Sequence, residues 1–148
     1  MKQEVLLEIT GTSTAGGEAE QTVTLVPAQL YQKAGCWYLS YRETAASGMD
    51  GTRTTIKLVP GVRAVIARSG TSTGTLHIEP GVRTKCFYGT AAGELELDIT
   101  GIELFCLLEQ DGALHPEAVV RLAYTIDYEQ QRLSENQVHI SIKESKRT

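Results

Sequence analysis

A chain of 148 residues, 41% apolar and 22% charged with a net charge of −4, has the makeup of one folded domain and buries enough surface to need no staples. No stretch approaches the roughly 20 apolar residues of a membrane helix, so a helical membrane protein is excluded. The start, Met1-Lys2-Gln3-Glu4, enters a strand pattern with no export signal behind it, and Cys36, Cys86 and Cys106 are odd in number and far apart; they read as three reduced thiols of a cytoplasmic protein.

Along the chain, Val5, Leu7 and Ile9 alternate with Glu4 and Glu8. Successive side chains of an extended backbone point to opposite faces, so this period of two predicts a strand with one oily and one wet side. Thr14-Ala15-Gly16-Gly17 ends it, and a second strand runs from Glu20 to Lys33. Within it Ala28 to Lys33 also fits a turn of helix, while Pro27 and the surrounding β-branched residues argue equally for strand. Ala34-Gly35 breaks the chain before Cys36 to Glu43, and Ser47 to Gly51 forms a polar turn. Short strands follow at Arg53 to Val59, Val62 to Ser69, Gly74 to Glu79 and Val82 to Tyr88. Longer ones cover Glu94 to Leu108 and Pro116 to Tyr128, with Asp111-Gly112 between them. Glu129 to Glu135 reads as a long hairpin loop, Ser134 to Lys143 as the last strand, and Glu144 to Thr148 as a loose tail. About ten strands on short connections predict a meander that closes on itself or a two-sheet sandwich.

One local repeat is legible. Thr55-Ile56-Lys57-Leu58-Val59-Pro60-Gly61-Val62-Arg63 recurs as Thr75-Leu76-His77-Ile78-Glu79-Pro80-Gly81-Val82-Arg83. Proline presets the first central position of a type II turn and glycine supplies the positive φ of the second. The repeat therefore predicts two like hairpins, with Ile56, Leu58, Leu76 and Ile78 on one face.

Charge is unevenly spread. From Tyr31 to Thr90 eight Lys/Arg face three acids, a local +5 that leaves −9 for the remainder. Complementary faces within one barrel, or between two copies, explain this more simply than an anion site. His77, His115 and His139 lie apart, no G-x-S-x-G elbow is present, and the cysteines read as small apolar residues, so no catalytic constellation emerges. There is no metal-ligand spacing; Glu94, Glu96 and Asp98 read as the solvent face of a strand. Ser69 to Thr75 lacks the Gly-Lys-Ser/Thr end and the following helix of a phosphate loop. The basic stretch Arg53 to Lys85 has Phe87 as its one nearby ring, so nucleic acid is not an expected partner.

What remains is a face. Trp37, Leu39, Tyr41 and Glu43 point one way, and Val62, Ala64, Ile66 and Arg68 form a similar row ending in a charge. Through the repeat Arg68 matches Tyr88, and Val120, Leu122, Tyr124, Ile126 and Tyr128 line another inward row. In a small barrel, charges that end apolar rows sit near the mouth. The simpler alternative is that Glu43 and Arg68 pair or reach water at the rim.

At these residues the chain resembles the YwiB-like family of uncharacterised bacterial proteins over essentially its full length. The resemblance rests on Tyr38 to Glu43, Thr54 to Lys57, Arg68 to Gly70, the run from Tyr88 to Leu97, and the last alternating strand. It implies a cytoplasmic, lipocalin-like (calycin) closed barrel with no established activity. Tyr41, Glu43, Lys57 and Arg68 match its polar motif positions, with no role attached, whereas Cys36-Trp37 and the Ala45 to Gly51 turn look local to this chain.

The sequence thus predicts an all-β, single closed antiparallel β-barrel of eight to ten strands spanning residues 1–148. The expected function is non-enzymatic binding of a small, partly apolar or anionic molecule at the barrel mouth, with no cofactor. Arg68 is the expected charge anchor, Glu43 its orienting partner, and Tyr41 and Tyr88 the walls. The competing expectation is an interaction protein that forms a homodimer through the barrel exterior.

Overall fold

A computed structural model of the chain describes residues 2–145. Ten strands follow in order: β1 (Lys2–Ala15), β2 (Glu18–Lys33), β3 (Cys36–Arg42), β4 (Thr52–Val59), β5 (Arg63–Gly70), β6 (Gly74–Ile78), β7 (Arg83–Thr90), β8 (Gly93–Gln110), β9 (Ala113–Tyr128) and β10 (Gln131–Glu144). A single turn of 3-10 helix, Ala45–Ser47, lies between β3 and β4. All paired neighbours in the sheet are antiparallel, in the order β6-β5-β4-β3-β2-β1-β10-β9-β8-β7. The sheet curls into a nearly closed barrel.

The alternation does what the sequence predicts. Val5 and Leu7, Val26 and Leu30, Leu39, Ile56 and Leu58, Ile66, Leu76 and Ile78, Ile99, Val120 and Leu122, Ile140 and Ile142 are all buried in one core. Ile56, Leu58, Leu76 and Ile78 share that face. Irregularities in β8 and β10 keep the pattern in phase with the curved sheet. The register shift after Gly101 turns Ile102 outward, and the shift between Arg132 and Ser134 leaves Leu133 exposed.

Several tight turns are set by left-handed residues. Gly16-Gly17, Ala34-Gly35, Asp111-Gly112 and Glu129-Gln130 each have positive φ at both positions, the mark of a type I′ hairpin. The long loop predicted at Glu129 to Glu135 is therefore two residues, and β10 starts at Gln131. Neither Glu129 nor Gln130 signals such a turn in sequence; pairing with β9 imposes it. Ala28 to Lys33 is strand, not helix. Pro27 fits because it lies opposite Leu6 of β1, while pairing with β3 begins only at Gln29, so the missing N–H breaks no ladder on that side. Glu144 pairs with Val5 and is not part of a loose tail, and residues 146–148 lie outside the described residues.

The second Pro-Gly turn corrects the hairpin expectation. Both are type II in form: Val62 N–H bonds Val59 O at 2.9 Å with Gly61 at φ 77°, and Val82 N–H bonds Glu79 O at 3.0 Å with Gly81 at φ 80°. The first joins the paired strands β4 and β5. The second joins β6 and β7, which are opposite edges of the sheet. Its backbone is engaged by β8 instead: Gly81 N–H donates to Gly101 O at 2.9 Å and Gly101 N–H to Val82 O at 3.1 Å. The two edge strands meet again where Thr73 and Gly89 exchange backbone bonds, both 2.9 Å. This seam makes the barrel nearly rather than fully closed.

Gly101 is required by that closure, since a Cβ there would sit 2.3 Å from Glu79 O. Gly101→Ala should lose about 2 kcal/mol or more of stability in a urea melt, as an overpacked contact does. It should also raise hydrogen exchange at Thr73 and Gly89. Gln130→Gly, by contrast, relieves a left-handed non-glycine residue and should raise stability by about 1 kcal/mol in the same melt.

Candidate functional site

One cross-strand rank of the barrel interior is polar. Pairing sets Tyr41 of β3 beside Thr54 of β4, and Thr54 beside Arg68 of β5. Arg68 faces Gly74 of β6, whose missing side chain makes room for Tyr88 of β7: a Cβ at Gly74 would lie 3.4 Å from the Tyr88 ring. Glu43 continues the inward row of β3 past the strand end, held by its N–H on Thr52 O at 2.8 Å. The structure thus brings together Tyr41, Glu43, Arg68 and Tyr88.

The electrostatics of this rank are uneven. The Thr54 hydroxyl donates to Glu43 Oε2 at 2.5 Å. Arg68 Nε stands 4.0 Å from the same oxygen, beyond hydrogen-bond reach, with side-chain exposures of 14% for Arg68 and 5% for Glu43. That Nε is buried and has no hydrogen-bond partner. A buried donor left unmade costs on the order of 1–3 kcal/mol, and more when charged, so the guanidinium is held in a costly state. Its field reaches far. Burial, then the Glu43 charge, hold the Tyr41 phenol well above its usual range, and Arg68 opposes them. Burial raises Tyr124 and Cys86 as well, again with Arg68 opposing. Tyr124 and Cys86 are buried in the same core.

The middle of the barrel is filled: Trp37, Leu39, Ile66 and Tyr124 are all buried. Space lies at the mouth. The segment from Thr44 to Gly51 crosses the polar rank, with Met49 Sδ 3.9 Å from the Tyr88 hydroxyl. On one side of it a cleft of about 370 Å³ is bordered by Gly11, Thr22, Ser47, Met49, Tyr124 and Val138. On its other side a cleft of about 340 Å³ reaches Glu43 between Arg42, Arg53 and Gly70. Thr71 N–H on Gly51 O (3.3 Å) and Ser72 N–H on Thr52 Oγ1 (3.0 Å) tie this segment to the β5–β6 loop.

Sequence reasoning missed Thr54, Met49 and Cys86 as members of the site. Thr54 carried a usable signal: with Thr52 it is a polar residue in the inward row that continues through Ile56 and Leu58. Met49, on a loop, carried none. The acidic edge resolves as a paired surface: Lys85 bonds Glu96 at 2.8 Å and approaches Asp98 at 3.5 Å, and Arg83 bonds Asp98 at 2.9 Å. Part of the charge bias is thus complementary faces of one barrel. Among the described residues, no three His, Cys, Asp or Glu side chains gather as a metal centre would require, and no helix is long and apolar enough to cross a membrane.

Residues 7–140 match the family described as "Domain of unknown function (DUF1934)". The chain is similar in structure to the ywiB protein from Bacillus subtilis, known as a crystal structure, with a TM-score of 0.82 and 19% identity over 98% of this chain and 94% of that one. At that identity the likeness shows the barrel fold alone. No curated protein matches the chain.

Two outcomes test the electrostatics. Arg68→Met alone should cost several kcal/mol in a denaturant melt, because it leaves the buried Glu43 carboxylate without its counter-charge, whereas Arg68→Met/Glu43→Gln should recover most of that loss. Thr54→Val should cost about 1–3 kcal/mol by stripping Glu43 of its donor. As pH rises past the ordinary tyrosine value of 10.0, unfolded phenols ionise while Tyr41 and Tyr124 keep their protons. Stability should be full below that pH and fall above it. Melting temperatures at pH 9 and 11 should show a smaller alkaline loss in the Tyr41→Phe/Tyr124→Phe double variant.

Proposed function

The chain belongs to the DUF1934 family, and from that premise we propose that it binds, without turning over, a small and partly apolar molecule carrying a carboxylate at the barrel mouth. The observation that carries this reading is Arg68 Nε, buried beside Glu43 with no partner of its own. Arg68 itself lines neither mouth cleft, so a carboxylate entering beside Met49 and Tyr124 reaches Nε only if the Thr44 to Gly51 segment shifts; a guanidinium then presents a fork of donors matched to it. Glu43, satisfied by Thr54, fixes the neighbouring charge and disfavours an anion too large to keep clear of it. Tyr88 and Tyr124 give the apolar part of the molecule aromatic walls with hydroxyl ends.

The homodimer reading draws on the same basic stretch. Three of its cations, Arg63, Arg83 and Lys85, are engaged by acids of the same chain, which leaves less charge for a second copy.

Native mass spectrometry of the purified protein, followed by thermal shift against a panel of aliphatic and aromatic carboxylates, tests the proposal. A ligand at 100 times its Kd stabilises by about 2.7 kcal/mol, a shift of several degrees for a domain of this size. The expected result is a shift that Arg68→Met abolishes. No co-purified mass and no shift with any carboxylate, or an equal shift in Arg68→Met, overturns the reading.

A further inference from the structure

The outer face of β2, β3 and β4 carries a second feature, independent of the interior rank. Tyr38, Ser40 and Arg42 point outward from β3, between the inward Trp37, Leu39 and Tyr41. Ladder pairing builds three parallel rows across the strands. One row is Lys2, Tyr31, Tyr38 and Lys57; the next is Glu4, Gln29, Ser40 and Thr55; the third contains Arg42 and Arg53. The middle row is short and polar, so it is a floor. Ser40 is buried although it faces outward, and Thr55 donates to its hydroxyl at 3.4 Å.

The flanking rows are walls. Tyr31 and Tyr38 stack with centroids 4.8 Å apart and planes 4° apart. Lys57 Nζ sits 6.0 Å from the Tyr38 centroid, which fixes that wall further. Where the β2–β3 ladder ends at Gln29 and Ser40 the strands part, and two concavities of about 280 and 460 Å³ meet over Gln29, Ser40 and Arg53. Lys33 lines the larger one. The carboxylate bordering them, Glu4, stands at the β1 end. Among the described residues neither Arg42 nor Arg53 is in an ion pair.

We propose that this groove binds the sugar–phosphate backbone of a single-stranded nucleic acid laid across the strands. Strands β2 to β4 supply Lys33, Arg42, Arg53 and Lys57 at the roughly 4.8 Å strand spacing, so net positive charge extends about 10 Å along the groove, while at the β1 end Glu4 offsets Lys2. Two arginine forks suit phosphate oxygens, and the Gln29 amide and the Ser40 and Thr55 hydroxyls suit phosphate and sugar oxygens. Tyr31 borders the larger concavity as an aromatic flank. Nothing in the groove reads base edges, so binding is independent of sequence. The sequence analysis passed over this feature because it sought rings beside the stretch Arg53 to Lys85, whereas Tyr31 and Tyr38 lie before it and meet Arg42 and Arg53 through strand register.

Fluorescence anisotropy of a labelled 12-nucleotide oligouridylate at 50 mM salt tests the proposal. Saturable binding is expected, with a log–log salt slope of about −2 for three neutralised phosphates. Arg42→Gln/Arg53→Gln should weaken it at least tenfold. The equally charged control Arg83→Gln/Lys85→Gln on β7 should change it less than twofold, and circular dichroism should confirm that both variants are folded. A labelled oligodeoxythymidylate of the same length should bind similarly. No binding at 50 mM salt overturns the proposal, as does equal loss in the control pair. So does binding of poly-glutamate or inorganic polyphosphate as tight as that of the oligonucleotide.

Discussion

Register between the first strand and the last governs the whole molecule. Val5 to Thr14 pair without interruption with Glu144 to Glu135, and that ladder turns a meander into a barrel. A one-residue slip would move Val5, Leu7, Ile140 and Ile142 from the core to solvent, so the alternation on both strands selects a single pairing. Every inward rank on the other strands inherits its height from that choice, the polar rank of Tyr41, Thr54 and Arg68 included.

That rank runs against the logic of the rest. Elsewhere the interior is mostly aliphatic, and the other buried side-chain atoms without a partner among the described residues, the hydroxyls of Thr44 and Thr125, are uncharged. Here a carboxylate is held by a threonine and a guanidinium is left short of a partner a few ångströms away. Filling the same volume with leucine or methionine serves folding at least as well. A protein that keeps a buried cation under these conditions is one whose sequence answers to more than stability. The polar rank also lies under the connection that carries the 3-10 turn Ala45–Ser47, so the mouth and the charge are parts of one local arrangement.

Much of this was legible from residue order. Period-two alternation located all ten strands, and the inward rows ending at Glu43 and Arg68 placed both charges at one end of the barrel. What was not legible has a common cause: it depends on contacts between distant segments. Gly101 looks like a weak point in a strand until the Glu79–Val82 turn is seen resting on it. Pro80-Gly81 looks like a hairpin because its twin is one, yet its neighbours are the two edges of the sheet. Glu129-Gln130 carries no turn chemistry and is bent by its flanking strands. Tyr31, Tyr38, Arg42 and Arg53 come together through ladder register rather than through any motif.

The adjacency of the two chain ends also bears on biosynthesis. As the polypeptide leaves the ribosome, β1 to β5 can form their hairpins in turn, but their apolar sides stay bare until the final strand emerges to lie against the first. While the ten strands are being made, half a core stays uncovered until β10 is in place. Loss of β10 would leave the first strand without its partner.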